Sequence, residues 1–431
     1  MHENTRYDYL VVGSGPGGAT VARELARAGE NVGILEYGPR VRRTGCYHVG
    51  RRFFLQRDRR ALKSEEGIFV GRMRVLGGSS FFSMACAVPP PPGMIEGWGL
   101  NLTREIQWAN KELKAGPVPK EFIGPGSTRI IQSARSLGWG MQPTPKCIDF
   151  SKCKNCGQCM FGCPTGAKWS ARDFVDDAVA HGAKLHLNTE VREVCHTNET
   201  VTGVKAAHKR KPIRFEADKV IVAAGALGTP GILRNSGIDN AGKGLALDVL
   251  QTTYGYTRDI GMQKEIVMAA FMDGLMDQGL FPAPYMYNPL FLVRDVRGAF
   301  PEKMGMVNMA AAWIKARRIK ADRLLGIMTK IRDETNGEVL PDGTIRKELT
   351  PHDRRLLDKA HDINAKVLVE TGADPDVGLA AAELQGRAAG ARDGCDARRQ
   401  EGAERLEIPF RQAAAEELPP DLNALAAKPH V

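Results

Sequence analysis

DYLVVGSGPGGATVARELARAGENVGILE, residues 8 to 36, decides the fold. DYLVV (8 to 12) is short, apolar and β-branched, the pattern of a buried parallel strand. It runs straight into Gly13, Gly15 and Gly18, the spacing G-x-G-x-x-G, and then into an amphipathic helix over about Ala19 to Ala28. Gly13 permits a tight turn, Gly15 lets backbone approach a diphosphate, and Gly18 lets the helix pack closely on the strand. The helix N-terminus then presents free amides and a positive dipole end to an anion. A second strand, NVGILE (31 to 36), ends in Glu36, where a carboxylate can take the hydroxyls of an adenosine ribose. Strand, glycines, helix, second strand and terminal acid together predict a Rossmann-like dinucleotide site. The fingerprint alone does not separate FAD from NAD.

Two further stretches extend the pattern. GRMRVLGGSSFFSMACAV (71 to 88) sets a glycine pair and two serines between apolar runs. KVIVAAGALGTPGILRNSGI (219 to 238) is a buried strand, a turn at Gly225, and a helix entered at Thr229-Pro230, where proline suits the first turn. Arg74 to Ser80 resembles the glycine–serine signature of the glucose–methanol–choline (GMC) flavin oxidoreductases, and the second string resembles that family's other signature. The resemblance covers about residues 7 to 250. It implies that Gly77, Gly78 and Ser79 touch the FAD, that Val191 gives main-chain bonds to adenine, and that Gly225, Ala226, Thr229 and Pro230 belong to the cofactor site. Where many members carry an asparagine, this chain has Ser83.

CIDFSKCKNCGQCMFGC (147 to 163) holds five of the nine cysteines in seventeen positions and is followed by Pro164. Cys153, Cys156, Cys159 and Cys163 reproduce the C-x2-C-x2-C-x3-C-P run of iron–sulfur proteins, and Cys147 is a fifth candidate ligand. Structural zinc sites usually separate two cysteine pairs by a dozen residues or more, which this crowded run does not do. We therefore expect one iron–sulfur cluster, [4Fe–4S], closed by Cys163 or by Cys147. Some GMC dehydrogenases carry such cysteines just before a Gly-Cys-Pro-x-Gly-Ala-Lys element, which GCPTGAK (162 to 168) resembles. Cys46, Cys86, Cys195 and Cys395 read as ordinary side chains.

PTGAKWSARDFVDDAVAHGAKLHLNTEVREVCH (164 to 196) reads as a loop, a helix over about Ser170 to Ala180, and one strand LHLNTEVREV that pairs with 201 to 208 and 213 to 225. Residues 251 to 320 bring Tyr254, Tyr256, Tyr285, Tyr287, Phe291 and Phe300, the composition of a sheet with an overlying cap. LTPHDRRLLDKAHDINAKVLVETG (349 to 372) is a helix with N-cap Thr350, Pro351 in its first turn and a closing Gly372.

The expected class is α/β: a Rossmann-like FAD-binding domain of GMC type over 1–250 carrying a ferredoxin-like cysteine loop, a smaller α+β substrate/cap domain over 251–376, and an atypical tail over 377–431. The family resemblance implies a late histidine as the base that removes the alcohol proton, but after His361 only His430 remains. No catalytic residue is assigned. The tail is either divergent or read in a shifted frame over 377 to 417, and LPPDLNALAAK (418 to 428) resembles the family's closing element. The implied activity is oxidation of a CH–OH donor, with electrons leaving through the cluster to a ferredoxin-like protein or partner subunit. The alternative is a non-catalytic flavin and iron–sulfur electron-transfer subunit.

A net charge of +10 is concentrated in part in RRTGCYHVGRRFFLQRDRRALK (42 to 63), a candidate dock for an acidic carrier. Only 6% aromatic residues and no recognised binding module argue against nucleic acid. No signal peptide pattern precedes the first strand and no apolar run reaches ~18 residues, so the reading is cytoplasmic, without a membrane span.

Overall fold

The computed structural model describes residues 6–45, 62–90, 92–97, 99–198, 200–262, 264–286 and 323–374. Strand β1 (Arg6–Val12) buries Tyr7, Leu10 and Val11 completely. It is followed by helix α1 (Pro16–Arg27) and by β2 (Val32–Leu35), buried along its whole length. These two strands pair in parallel, with Tyr9 opposite Val32 and Val12 opposite Leu35. Four more strands complete a six-stranded sheet: β3 (Lys184–His186), β4 (Thr189–Thr197), β5 (Thr200–His208) and β6 (Lys211–Val222). The order is β3-β2-β1-β6-β5-β4, parallel through the first four strands and antiparallel through the β4–β5–β6 meander.

One face of this sheet is covered by α1 and by helix α2 (Ala171–Ala180). Ala19, Ala22 and Ala26 meet Phe174, Val175 and Ala178 there in one core. Small side chains on α1 are what allow the helix to lie this close to β1. The α2 N-terminus is closed by Ser170 and Asp173, whose carboxylate accepts from Ser170 N at 2.9 Å. The other face packs Val191, Val204 and Phe215 of the meander with Ile232 of helix α3 (Thr229–Asn235).

A second lobe is built on a three-stranded antiparallel sheet, β7 (Leu250–Tyr256), β8 (Leu280–Pro284) and β9 (Leu324–Ile331), in the order β7-β9-β8. Helix α4 (Pro351–Glu370) lies on it, burying Leu356, Ile363, Val367 and Leu368, and helix Pro125–Ser136 adds Ile130 and Ala134 to the same core. Helix α4 begins as its sequence predicts: Thr350 Oγ1 accepts from Asp353 N at 3.1 Å, and the Asp353 carboxylate accepts from Thr350 N at 3.0 Å. Within the helix the buried Asn364 accepts from Thr329 Oγ1 at 2.7 Å, so its polar group is satisfied against β9.

One local expectation is corrected. LHLNTEVREV is not a single strand: the chain turns at Leu187–Asn188, with Asn188 at φ +55°, and places β3 at one edge of the sheet and β4 at the other. Asparagine tolerates this left-handed conformation better than most residues, and side-chain alternation continues across the break without marking it. Residues 46–61 of the Arg-rich stretch, Cys46, Tyr287, Phe291, Phe300, Cys395, His430 and the tail from residue 375 lie outside the described residues. Among the described residues no helix is long and apolar enough to cross a membrane.

Candidate functional site

The ends of β1, β2 and β6 and the loops that leave them enclose a cleft of about 820 Å³, within the range of cofactor sites. Gly13 makes the first turn at φ +101°, where an added Cβ would stand 2.4 Å from the Ala223 carbonyl oxygen. Gly18 does not line the cleft; a Cβ there would meet the Gly13 carbonyl oxygen at 2.1 Å, so it serves the close contact of α1 with the turn. Gly15 lines the cleft with open space beside it. It is the N-cap of α1 and brings no side chain to the first-turn amides. Those donors are therefore free for an anion.

The glycine pair closes on this turn from the side. Gly77 N donates to Ser14 Oγ at 3.0 Å, and a Cβ on Gly78, at φ +56°, would lie 3.1 Å from Gly15 Cα. Gly78 and Ser79 line the cleft while Gly77 sits behind them, buried. Ser79 Oγ accepts from Met73 N at 3.3 Å. Glu36 also lines the cleft, only 5% exposed. Its Oε2 accepts from Ser14 Oγ at 2.5 Å and Ser14 N at 3.1 Å, and its Oε1 from Gly38 N at 2.6 Å. Burial raises the Glu36 pKa, with those hydrogen bonds and the nearby Arg72 charge working the other way. Arg72, also on the cleft wall, is pushed down to about 10, chiefly by burial and then by Arg74.

The third wall comes from β4 and from the loop after β6. Val191 lines the cleft beside a register shift between Val191 and Glu193, the irregularity that often aims a strand at a site. Gly225 (φ +76°), Ala226 and Thr229 line it as well, whereas Pro230 is buried in the first turn of α3 and packs rather than facing the cleft. Among the described residues no histidine lines the cleft.

Behind the glycine pair lies a second site. Cys153, Cys156, Cys159 and Cys163 surround one narrow cavity of about 10 Å³, together with Ile148, Thr165, Lys168 and Ile266. The loop bends through Gly157 and Gly162, at φ +65° and +75°, and a Cβ on Gly162 would strike the Phe81 ring at 2.5 Å. Burial raises the Cys159 and Cys153 thiols. Burial also acts upward on Cys163, but bonds from Thr165 Oγ1, at 3.3 Å, and from the amides of Lys168, Thr165 and Ala167 outweigh it and leave that pKa lowered. Cys147 packs in one buried cluster with Cys159 and Ile148 but does not face the cavity. It lies in strand Pro145–Cys147, bonded through its amide to Ala85 O at 2.8 Å, and its thiol, pushed up to about 11 mainly by burial, does not line the cavity. Among the described residues no group of three or more His, Cys, Asp or Glu side chains is placed to hold a metal ion, so neither the arrangement expected for an iron–sulfur cluster nor that of a tetrahedral zinc site is formed here.

The two sites are joined by Lys168. Its Nζ donates to the carbonyl oxygens of Ser80 at 3.0 Å, Phe81 at 2.8 Å and Ser83 at 2.9 Å, the turn that continues the glycine pair. Burial pulls its pKa down to about 8. Sequence reasoning missed this residue, and Ser14 and Arg72 with it: a lysine in a polar loop and an intervening serine of a glycine motif carry no signal of burial.

Residues 7–250 match the GMC oxidoreductase family. An uncharacterized GMC-type oxidoreductase of Mycobacterium tuberculosis is 30% identical over 399 residues, covering 86% of this chain and 61% of the relative. A long-chain-alcohol oxidase of Arabidopsis thaliana is 26% identical over 407 residues, covering 85% of this chain and 53% of that protein. The chain thus spans between about half and three-fifths of the length of these relatives. The crystal structure of pyridoxine 4-oxidase from Mesorbium loti matches with a TM-score of 0.58 over 84% of this chain and 80% of that one, at 14% identity, a likeness of fold.

Proposed function

Because the chain belongs to the GMC oxidoreductase family, whose members are FAD-dependent enzymes acting on CH–OH donors, we propose that it is an FAD-dependent dehydrogenase of an alcohol-type substrate. The observation that carries this reading is the cleft of about 820 Å³ walled by the three glycine-bearing loops and β4. In it the first-turn amides of α1, with Gly13, Gly15 and Gly78, bind the pyrophosphate, and Glu36 accepts from the adenosine ribose. Val191 holds the adenine through its main chain, and Ser79 and the Gly225–Thr229 loop meet the rest of the cofactor. Bound there, FAD supplies the acceptor for hydride from the substrate carbon.

The finer part of the proposal is that Cys153, Cys156, Cys159 and Cys163 hold one iron–sulfur cluster that carries electrons to a ferredoxin-like protein or partner subunit. The donor set and spacing support it, as do the bonds that favour the Cys163 thiolate. The cavity of about 10 Å³ has room for little more than a water, so loading spreads the 153–163 loop. Cys147 then stays outside the ligand set. Mass spectrometry of the extracted flavin, with iron and acid-labile sulfide analysis of anaerobically purified protein, tests both parts. FAD with about four irons per chain is expected; a flavin-free protein overturns the first part, and zinc in place of iron overturns the second.

The second reading is a non-catalytic electron-transfer subunit that binds the same cofactors. Substrate-dependent bleaching of the flavin separates the two.

A further inference from the structure

The charged side chains on the wall of the large cleft are Glu36, Arg72, Arg74, Glu190 and Asp248. All but one are already engaged. Glu36 accepts from Ser14 and from Gly38 N. Arg74 lies over the Tyr37 ring, 4.8 Å from its centre, and donates to the Tyr37 hydroxyl at 3.3 Å. Glu190 meets Arg192 at 3.6 Å, and Asp248 pairs with Lys330. Arg72 makes no hydrogen bond or ion pair among the described residues.

The Arg72 guanidinium is half-buried, and its place is defined from two sides. Its Nη2 stands 3.2 Å from where a Cβ on Gly228 would lie, so it rests beside a residue with no side chain, at the N-cap of α3. It is also within electrostatic range of Glu36, at the end of β2. Burial first, and the like charge of Arg74 second, push its pKa down to about 10, which still leaves it charged at neutral pH. A partly buried cation without an anion is costly. On a cleft wall the missing anion is one that a ligand brings.

The chemistry of that anion follows from the neighbours. Glu36 suits the adenosine ribose, and the first-turn amides of α1 await a negative group. In FAD the group that follows the adenosine ribose is a diphosphate with two negative charges. A planar guanidinium can donate to two phosphate oxygens at once.

We propose that Arg72 is a further binding residue of the cofactor site, pairing with the diphosphate that joins the two halves of FAD. This rests on the FAD reading above. The cleft then holds its ligand by a full positive charge as well as by backbone amides.

Calorimetric titration of flavin-free full chain with ADP and with adenosine tests it, because ADP carries the diphosphate and adenosine does not. Arg72→Gln is expected to lower ADP affinity about tenfold or more and to leave adenosine affinity unchanged. Arg72→Lys, which keeps the charge without the planar fork, should recover part of the loss. ADP affinity unmoved in Arg72→Gln, or an equal loss for both ligands, overturns the assignment. Should the variants not fold, the arginine reagent phenylglyoxal on wild-type protein decides, with peptide mass spectrometry as the readout. ADP should shield Arg72 from modification while adenosine does not, and equal modification with and without ADP overturns the proposal. Wild-type protein that binds neither FAD nor ADP removes the FAD reading and this proposal together. Wild-type protein that binds FAD, with ADP affinity indifferent to Arg72→Gln, removes this proposal alone.

Discussion

Ser14 Oγ donates to the Glu36 carboxylate at 2.5 Å and accepts from Gly77 N at 3.0 Å. One wholly buried hydroxyl thereby locks the first glycine turn, the end of β2 and the glycine pair into one frame. Ser14→Ala leaves Gly77 N and part of the Glu36 carboxylate without a partner, which costs about 1–3 kcal/mol. Chemical denaturation should record that loss, and flavin retention should fall with it.

Glu36 gives the pH dependence. Its folded pKa is raised above the ordinary 4.5, chiefly by burial. The folded state therefore holds that proton more tightly than the unfolded chain. The resulting stability is fully present below pH 4.5 and is lost as pH rises through the raised value. Flavin-free Glu36→Gln should lack this pH-dependent loss, be less stable than wild type because its amide N–H2 must face one of the donors from Ser14 or Gly38, and bind FAD more weakly. A denaturation series across that pH range, on flavin-free protein, checks the sign.

Two glycines of the same motif should part company. Gly15 has ordinary backbone angles, φ −65° and ψ 178°, and open space beside it. Gly15→Ala should fold with stability within about 1 kcal/mol of wild type, yet lose FAD affinity tenfold or more, ~1.4 kcal/mol, because its Cβ stands where the pyrophosphate approaches. Gly18→Ala drives a Cβ to 2.1 Å from the Gly13 carbonyl oxygen and should lose stability by about 1–3 kcal/mol as well as cofactor. Thermal unfolding and flavin titration, run side by side, read the difference.

Among the cysteines, Cys163→Ser should abolish four-iron loading, while Cys147→Ser, at a residue that packs beside the cavity without lining it, should leave the iron content at the wild-type level. Iron analysis of the two variants distinguishes the ligand sets. Equal loss from both would return Cys147 to the site.

These comparisons show where the chain spoke plainly. The β1–α1–β2 unit, the Gly77–Gly78 turn and the α4 cap at Thr350 rest on local rules, in which a residue type is required by a backbone angle or an unpaired amide, and each could be read directly. The turn at Asn188 could not, because alternation runs through it unbroken and only tertiary pairing sends β3 and β4 to opposite edges. Helix Pro125–Ser136 sits in the core of the second lobe although it precedes that lobe's strands by more than a hundred positions, and nothing in its own pattern names its partner. Lys146 and Lys168 were hidden for a different reason: lysine is ordinarily a surface residue, and nothing in the local pattern marks these two as buried.

The central claim, an FAD site that accepts hydride from an alcohol-type donor, is tested most directly by anaerobic titration of the FAD-replete protein with a series of primary alcohols while the visible band of oxidised flavin is followed. The account predicts that at least one alcohol bleaches that band and that an added electron acceptor restores it. A protein that carries its full complement of FAD, yet keeps the oxidised band unchanged with every CH–OH donor, would contradict it.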